Sequence, residues 1–372
     1  MKSIKLFEPL ALRGTVLKNR IAVSPMCQYK AVNGHVQPWH IAHHARFALG
    51  GVGMALVEAT AVAKEGRITH GCTGLWEDGQ IAGMKAISDL YRANAVVPAI
   101  QLAHAGRRAS AARPWEGAKP LAIAGPDVPW QTLGPSPVPE REGYPVPHDL
   151  TAAEIEGVVS SFAAAARRAL AAGFEIAEIH GAHGYLIHSF FSPISNLRQD
   201  AFGGSRQNRM RLALMVAEAV RAEWPDDKPL FYRASVVDGV DGGLGIEDSV
   251  ALAIELKARG VDVIDCSSGG IAGSPVLAPA RIRPGYQVPL AAAVKRKAAI
   301  ATMAVGAILD GPQAEAILES GEADLIAIGR ELLADPNWAY HAAEQLGHPD
   351  PWSVLPMSYG FYLERRAAVL DR

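Results

Sequence analysis

Short apolar runs alternate with longer segments of helical periodicity along nearly the whole chain. The apolar runs predict strands at 21–24, 54–60, 96–102, 174–180, 230–235, 261–267, 300–305 and 325–328. Between them, apolar positions recurring at helical spacing predict helices over 40–49, 78–94, 152–172, 208–223, 247–259, 290–297 and 312–320. Strand–helix units that repeat with no break in composition predict an α/β fold, one (β/α)8 TIM barrel rather than two doubly wound domains. A chain of 372 residues would on average hold two or three domains, but barrels often run this long as one. Residues 1–372 therefore read as a single barrel domain. No Gly-x-Gly-x-x-Gly follows an early strand, which argues against a Rossmann nucleotide domain.

Two insertions interrupt the pattern, after the third and the fourth strand. Residues 104–149 are rich in Pro and Gly and carry Trp115 and Trp130. Residues 181–205 carry Phe190, Phe191 and the segment Asn196-x-Arg198-x-Asp200-x-Phe202-Gly-Gly. Both follow C-terminal strand ends, the catalytic face of a barrel, and their aromatics predict ordered lids rather than loose loops.

Composition narrows the class. Hydrophobic residues make up 49% of the chain and charged residues 20%, values of a soluble protein with a large core. The net charge of −2 offers no electrostatic footprint for nucleic acid or an anionic membrane. Neither a signal peptide nor a membrane-spanning run is recognisable, so a cytoplasmic location is expected. Cys27, Cys72 and Cys266 are odd in number and far apart, indicating neither a disulfide framework nor a cysteine metal cluster.

Chemistry concentrates at the strand ends. In Glu178-Ile-His180-Gly-Ala-His183-Gly-Tyr185, two imidazoles and a phenol leave the fourth strand together, with glycines that let the backbone turn. Such a group could hold a carbonyl oxygen and protonate the neighbouring carbon; alternatively it closes a loop, or the His pair binds zinc. The seventh strand ends in Val305 and Gly306, the eighth in Gly329 and Arg330, where barrels commonly bind a phosphate. Gly329 could instead only end a strand and Arg330 pair with a surface acid. Arg233 interrupts an apolar strand and needs an anion or a structural ion pair if it points inwards. Gln101 offers an amide edge, and Pro25, Met26 and Ala59 offer apolar walls, so a flavin mononucleotide suits the set better than a sugar phosphate. Cys27 reads as a small core residue or a tuner of a redox cofactor, and Tyr29 as a pocket cap or a packed loop residue.

Together, Ser24-Pro-Met-Cys-Gln-Tyr29, Glu58-Ala-Thr-Ala-Val62, Gln101-Leu-Ala-His-Ala-Gly-Arg-Arg108, His180-x-x-His183-Gly-Tyr185 and Ile328-Gly-Arg330 resemble the Old Yellow Enzyme family. The match is best with its cysteine-bearing, thermophilic-like branch, which includes xenobiotic reductase A, and it runs from about residue 6 to residue 365. The resemblance implies an FMN-dependent NADPH or NADH oxidoreductase, an ene-reductase acting on α,β-unsaturated carbonyl or nitro compounds. By position, Ser24, Pro25, Met26, Cys27, Ala59, Gln101 and Arg233 would line the isoalloxazine, and Val305, Gly306, Gly329 and Arg330 would hold the phosphate. Tyr29, His180 and His183 would bind substrate, with hydride coming from flavin N5 and the proton from Tyr185. The tail, residues 355–372, resembles one that reaches a neighbouring subunit, implying a homodimer or homotetramer with Arg365 at the partner's site. Arg108 stands where many relatives carry Lys, and Val305 and Tyr362 where xenobiotic reductase A carries tryptophans, so the pocket shape differs. Rival readings are a metal-assisted barrel hydrolase, which lacks a matching His-x-His on an early strand, and a flavin-binding sensor without turnover.

Overall fold

Eight parallel strands close on themselves in chain order: β1 (Ile21–Val23), β2 (Met54–Ala61), β3 (Val97–Ala103), β4 (Ile176–Gly181), β5 (Leu230–Ser235), β6 (Val263–Ser267), β7 (Ala301–Val305) and β8 (Leu325–Ile328). The ring is sealed where Ile326, Ala327 and Ile328 of β8 pair with Ile21, Ala22 and Val23 of β1. The computed structural model describes residues 3–123, 125, 127–272 and 283–370.

Helices α1 (Pro38–Ala48), α2 (Ile81–Ala93) and α3 (Ala152–Ala171) follow the first three strands. After β4 come a short α4 (Leu186–Phe191) and α5 (Arg206–Glu223), then α6 (Ile246–Ala258), α7 (Val288–Ala298) and α8 (Gly311–Glu319) alternate with the later strands. Beyond β8 lie α9 (Arg330–Ala334), α10 (Trp338–Gln345) and α11 (Met357–Val369). The (β/α)8 expectation is met. Local signals set the helix starts: Thr151 and Glu154 form a reciprocal capping box at α3, and Asp310 accepts from the Gln313 N–H at 2.9 Å at α8. Residues 78–80, expected to be helical, form a tight 3-10 turn capped by Glu77 and Gln80 before α2 begins.

Strand alternation divides the core into two. Outward residues such as Val57, Ile100, Ile179 and Ile264 pack under the helices. Inward residues Ala22, Met54, Leu56, Ala99, Ile176, Phe231, Val263, Met303, Leu325 and Ala327 fill the barrel with a second apolar cluster. Leu17, from the antiparallel hairpin Leu10–Leu12 and Thr15–Leu17, joins that cluster. Two residues beyond Ala99, Ile176, Phe231 and Val263, the same alternation points Gln101, Glu178, Arg233 and Asp265 into the interior, all buried. The barrel is therefore apolar low down and polar towards the strand C-termini.

The insertions are tied to each other. Arg198 Nη1 donates to the carbonyls of Leu150 at 2.7 Å and Pro135 at 3.1 Å, and the Leu197 N–H donates to Ser136 Oγ at 2.9 Å. Trp130 Nε1 donates to the Glu65 carbonyl at 2.9 Å. Ordered coverings of the strand ends, as expected from the aromatics, are what these contacts produce.

Candidate active site

The turn after β4 brings the two imidazoles and the phenol together. His183 and Gly184 both adopt positive φ, 59° and 74°. A Cβ on Gly184 would run into the Gly270 carbonyl oxygen, and one on Gly270 would stand 2.5 Å from His183 Cα, so only glycine lets the two loops meet. Backbone donors hold the turn: His183 N–H to Ser235 Oγ at 2.9 Å, Gly184 N–H to His188 Nδ1 at 2.8 Å, and Leu186 N–H to the His104 carbonyl at 2.9 Å. The His180 ring consequently meets the edge of His183 at 5.2 Å and of Tyr185 at 4.9 Å between centroids.

Protonation follows from this packing. Burial, with Arg233 adding to it, pushes both imidazoles well below their ordinary pKa, so they are neutral. His180 Nδ1 accepts from the Ala182 N–H at 3.2 Å, which leaves the proton on Nε2. His183 Nε2 lies 2.7 Å from Ser267 Oγ. Burial raises Tyr185 above the ordinary phenol value, with Arg108 opposing, so the hydroxyl keeps its proton. Three neutral polar groups thus share one point.

The loop after β1 faces them. Glu58 Oε2 accepts from the Gln28 N–H at 2.8 Å, holding that loop, while His40 Nε2 lies 3.5 Å from Glu58 Oε1. Burial pushes the Glu58 carboxyl up to about 8. The Cys27 thiol is raised well above its ordinary value, by burial first and by Glu58 second, with Tyr29 and the Ala59 backbone opposing. Tyr29 is held protonated by Cys27, by burial and by the proximity of Tyr185, so the β1 and β4 loops are in electrostatic reach. The Tyr29 ring meets Trp115 of the first insertion edge-on at 5.9 Å. Beside it the Lys30 ammonium sits between Trp39, at 5.3 Å, and Trp115, at 5.6 Å.

Beneath the imidazoles lies the polar layer. Arg233 points inwards and pairs with Asp265, Nε to Oδ2 at 3.2 Å, and Nη1 reaches Ser24 Oγ at 3.4 Å. Gln101 Nε2 donates to Glu178 Oε1 at 2.8 Å. Sequence reasoning singled out Arg233 and Gln101 but not the carboxyls they touch; strand parity was the signal that would have found Glu178 and Asp265.

Around the rim from there, Ser24, Met26, Val305, Gly306, Gly329 and Arg330 line one cavity of about 460 Å³. Gly306 has φ 116°, and a Cβ there would stand 2.6 Å from Gln287 Nε2. Arg330 is exposed and makes no hydrogen bond or ion pair with any described residue. An open glycine-walled cavity with an uncommitted guanidinium suits a phosphate, and the polar layer and the apolar Met26 and Ala59 suit a flavin ring, so the residues present fit FMN. The alternative of Arg330 paired with a surface acid is not what the described residues form. Among them, no group of three or more His, Cys, Asp or Glu side chains is placed to hold a metal ion.

The family model for the NADH:flavin oxidoreductase / NADH oxidase family matches residues 5–348. The chain belongs to this family, the Old Yellow Enzyme family. It is 45% identical over 344 residues to an NADPH dehydrogenase of Geobacillus sp. (strain WCH70), covering 92% of this chain and 94% of that one. It is 42% identical over 352 residues to the NADPH dehydrogenase of Bacillus subtilis (strain 168), covering 94% and 97%. Among solved structures, morphinone reductase superposes with a TM-score of 0.75 at 25% identity over 95% of both chains. A 2-naphthoyl-CoA reductase superposes at 0.81 and 25% identity, and this chain spans only 54% of its length. The protein is thus an Old Yellow Enzyme-type oxidoreductase using flavin and NAD(P)H.

Two arginines of this Old Yellow Enzyme barrel lie outside the glycine-walled cavity. Arg108 spends its guanidinium on the carbonyls of His183 at 2.9 Å and Gly270 at 2.6 Å and on the Glu140 carboxylate at 3.2 Å. It braces the turn that carries His183 and Tyr185. Arg365 lies exposed on α11, stacked over its own Phe361 at 3.5 Å. No helix among the described residues is long and apolar enough to cross a membrane.

Proposed function

We propose that the enzyme is an ene-reductase for α,β-unsaturated carbonyl or nitro compounds, with NADPH or NADH as reductant and FMN bound without a covalent link. The observation that carries this reading is the meeting of His180, His183 and Tyr185 as three neutral groups above a buried cation. FMN, when bound, takes up electrons from the nicotinamide and supplies hydride to the electron-poor alkene.

The chain's own residues do the rest. His180 and His183 donate to the substrate's electron-withdrawing oxygen, and as neutral imidazoles they stabilise developing negative charge without first losing a proton. Tyr185 Oη gives a proton to the carbon next to the activating group. Its raised pKa keeps the hydroxyl loaded at neutral pH. Tyr29 and Cys27 close the opposite side, and Arg233 holds negative charge at the ring. Val305, Gly306, Gly329 and Arg330 hold the phosphate.

A second part of the reading concerns assembly. Tyr359, Phe361 and Tyr362 of α11 are exposed together with Arg365, whereas only Gly360 is buried in that helix. Aromatics and Arg exposed side by side suit an interface, supporting a homodimer or homotetramer in which Arg365 borders the partner's site.

Purified protein tests the proposal. It should carry flavin absorbance, bleach with NADPH under argon, and recover colour on adding an enone such as cyclohexenone. His180→Ala or His183→Ala should slow the recovery far more than the bleaching. Bleaching without any alkene-driven recovery across enones, maleimides and nitroalkenes would leave only an NADPH oxidase and defeat the ene-reductase reading.

A further inference from the structure

Four adjacent strands each place one polar side chain in the layer below the imidazoles: Gln101 from β3, Glu178 from β4, Arg233 from β5 and Asp265 from β6. Strand register sets Gln101 beside Glu178 and Arg233 beside Asp265. Gln101 satisfies one oxygen of Glu178, and Arg233 pairs with Asp265, at side-chain exposures of 8% and 0%. Glu178 Oε2 and both Asp265 oxygens are enclosed with no hydrogen-bond donor, the Arg233 contact being an ion pair. Below them is only the apolar plug. Above stand neutral His180, Ser235, Ser267 and, from β1, Ser24; Cys266 on β6 and Thr302 on β7 bring no charge, since burial holds the Cys266 thiol protonated.

Among the described residues, one cation, Arg233, therefore serves two buried carboxyls. Ionising both would bury a net negative charge, an arrangement that proteins avoid by keeping a proton. The two positions are not equivalent. Asp265 contacts the guanidinium directly, which opposes the upward push of burial, whereas Glu178 has a neutral amide as its partner. Burial, reinforced by Asp265, pushes Glu178 up to about 8. Burial raises Asp265 as well, with Arg233 opposing, and the direct guanidinium contact favours the charge on Asp265 and the proton on Glu178.

We propose that Asp265 is a positioning residue that limits how much of the Arg233 charge reaches the flavin, and that Glu178 is the neutral, proton-bearing member of the pair. The proposal rests on the reading that FMN binds in this barrel mouth. Removing the Asp265 charge leaves Arg233 uncompensated, which favours the more negative, reduced flavin. Removing the Glu178 carboxyl changes no charge near neutrality.

The test is the midpoint potential of the FMN-loaded enzyme, measured by dye equilibration from about pH 6 to about pH 9 for wild type, Asp265→Asn, Asp265→Glu and Glu178→Gln. Asp265→Asn should raise the potential by about 30 mV or more, a tenfold shift of the two-electron equilibrium, and Asp265→Glu should bring it back. Glu178→Gln should superimpose on wild type near neutrality and diverge above about pH 8, where wild type gains a negative charge and its potential falls more steeply. Should Asp265→Asn fail to fold, the Glu178→Gln divergence decides alone. FMN-bound variants with the potential of wild type at every pH overturn the proposal, as does a Glu178→Gln shift near neutrality equal to that of Asp265→Asn. Protein that takes up no FMN overturns the flavin reading beneath it.

Discussion

Tyr185 concentrates the chemistry into one hydroxyl. Tyr185→Phe keeps the ring against His180 and removes only the proton source, so stopped-flow reduction by NADPH should persist. Enone-driven reoxidation should fall by roughly 10²–10⁴-fold, the usual worth of a positioned acid. Cys27 has the opposite character. Burial and the neighbouring Glu58 keep its thiol protonated, so it is no nucleophile, and Cys27→Ser should retain measurable turnover while changing the ratio of the two half-reactions. Buried histidine also writes itself into acid stability. Burial lowers His104 to about 4, while its Nδ1 accepts from the Gly106 N–H at 3.1 Å. Below its unfolded value the unfolded chain binds a proton that the folded one refuses. Stability from this residue is therefore full above about pH 6.5 and lost as pH falls towards 4, on the order of 3 kcal/mol. In urea melts, the advantage of wild type over His104→Asn should shrink across that window; a constant gap would show that His104 titrates normally.

The turn after β4 owes its shape to elements distant in sequence. His188 on α4 accepts from the Gly184 N–H and binds Asp238, Nε2 to Oδ1 at 2.8 Å, with both side chains fully enclosed. Burial alone would raise Asp238, but His188, the Ser192 hydroxyl at 2.6 Å and the Leu244 N–H hold it below the ordinary carboxyl value. Asp238→Ala leaves His188 buried without its partner and should cost about 3–5 kcal/mol in urea unfolding. Asp238→Asn should cost less, yet slow enone reoxidation more than flavin reduction, because the turn carrying His183 and Tyr185 loosens. Sequence alone did not show this pair: its members lie 50 positions apart, one on the short α4 and one in the loop after β5, with no periodicity to read. Periodicity did reveal the barrel strands, and 230–235 and 325–328 were legible to the residue because each is an apolar run broken only by Arg233 and the terminal Ser235. That exception singled out Arg233, and the structure turns it inwards. Asp265 escaped because Asp262, on the opposite face of the chain, accepts from Leu230 N–H and Arg13 outside the barrel, and two acids so near in sequence blur the parity. The hairpin Leu10–Leu12 and Thr15–Leu17 escaped for want of length.

At the scale of the molecule, the family and fold were legible from ordered motifs, whereas α9, α10 and α11 were not, since each is short or half-exposed and lacks a continuous apolar stripe. The exposed aromatics of α11 carry the assembly prediction. A chain ending before Met357 should fold and bind FMN, yet shift to smaller mass in light scattering at micromolar concentration. Arg365→Ala should weaken substrate or coenzyme binding at unchanged mass. A full-length monomer with full activity would reject the shared site. The barrel mouth, finally, comes with its own light source. Trp115 and Trp39 are more than half exposed and flank Lys30 at the edge of the site. Indole emission overlaps flavin absorption, so the energy passed from Trp115 to a flavin in the barrel depends steeply on the distance at which the first insertion holds the ring. Emission lifetimes compared between the protein and its Trp115→Phe variant thus report, without any added dye, how near the first insertion stands to the flavin.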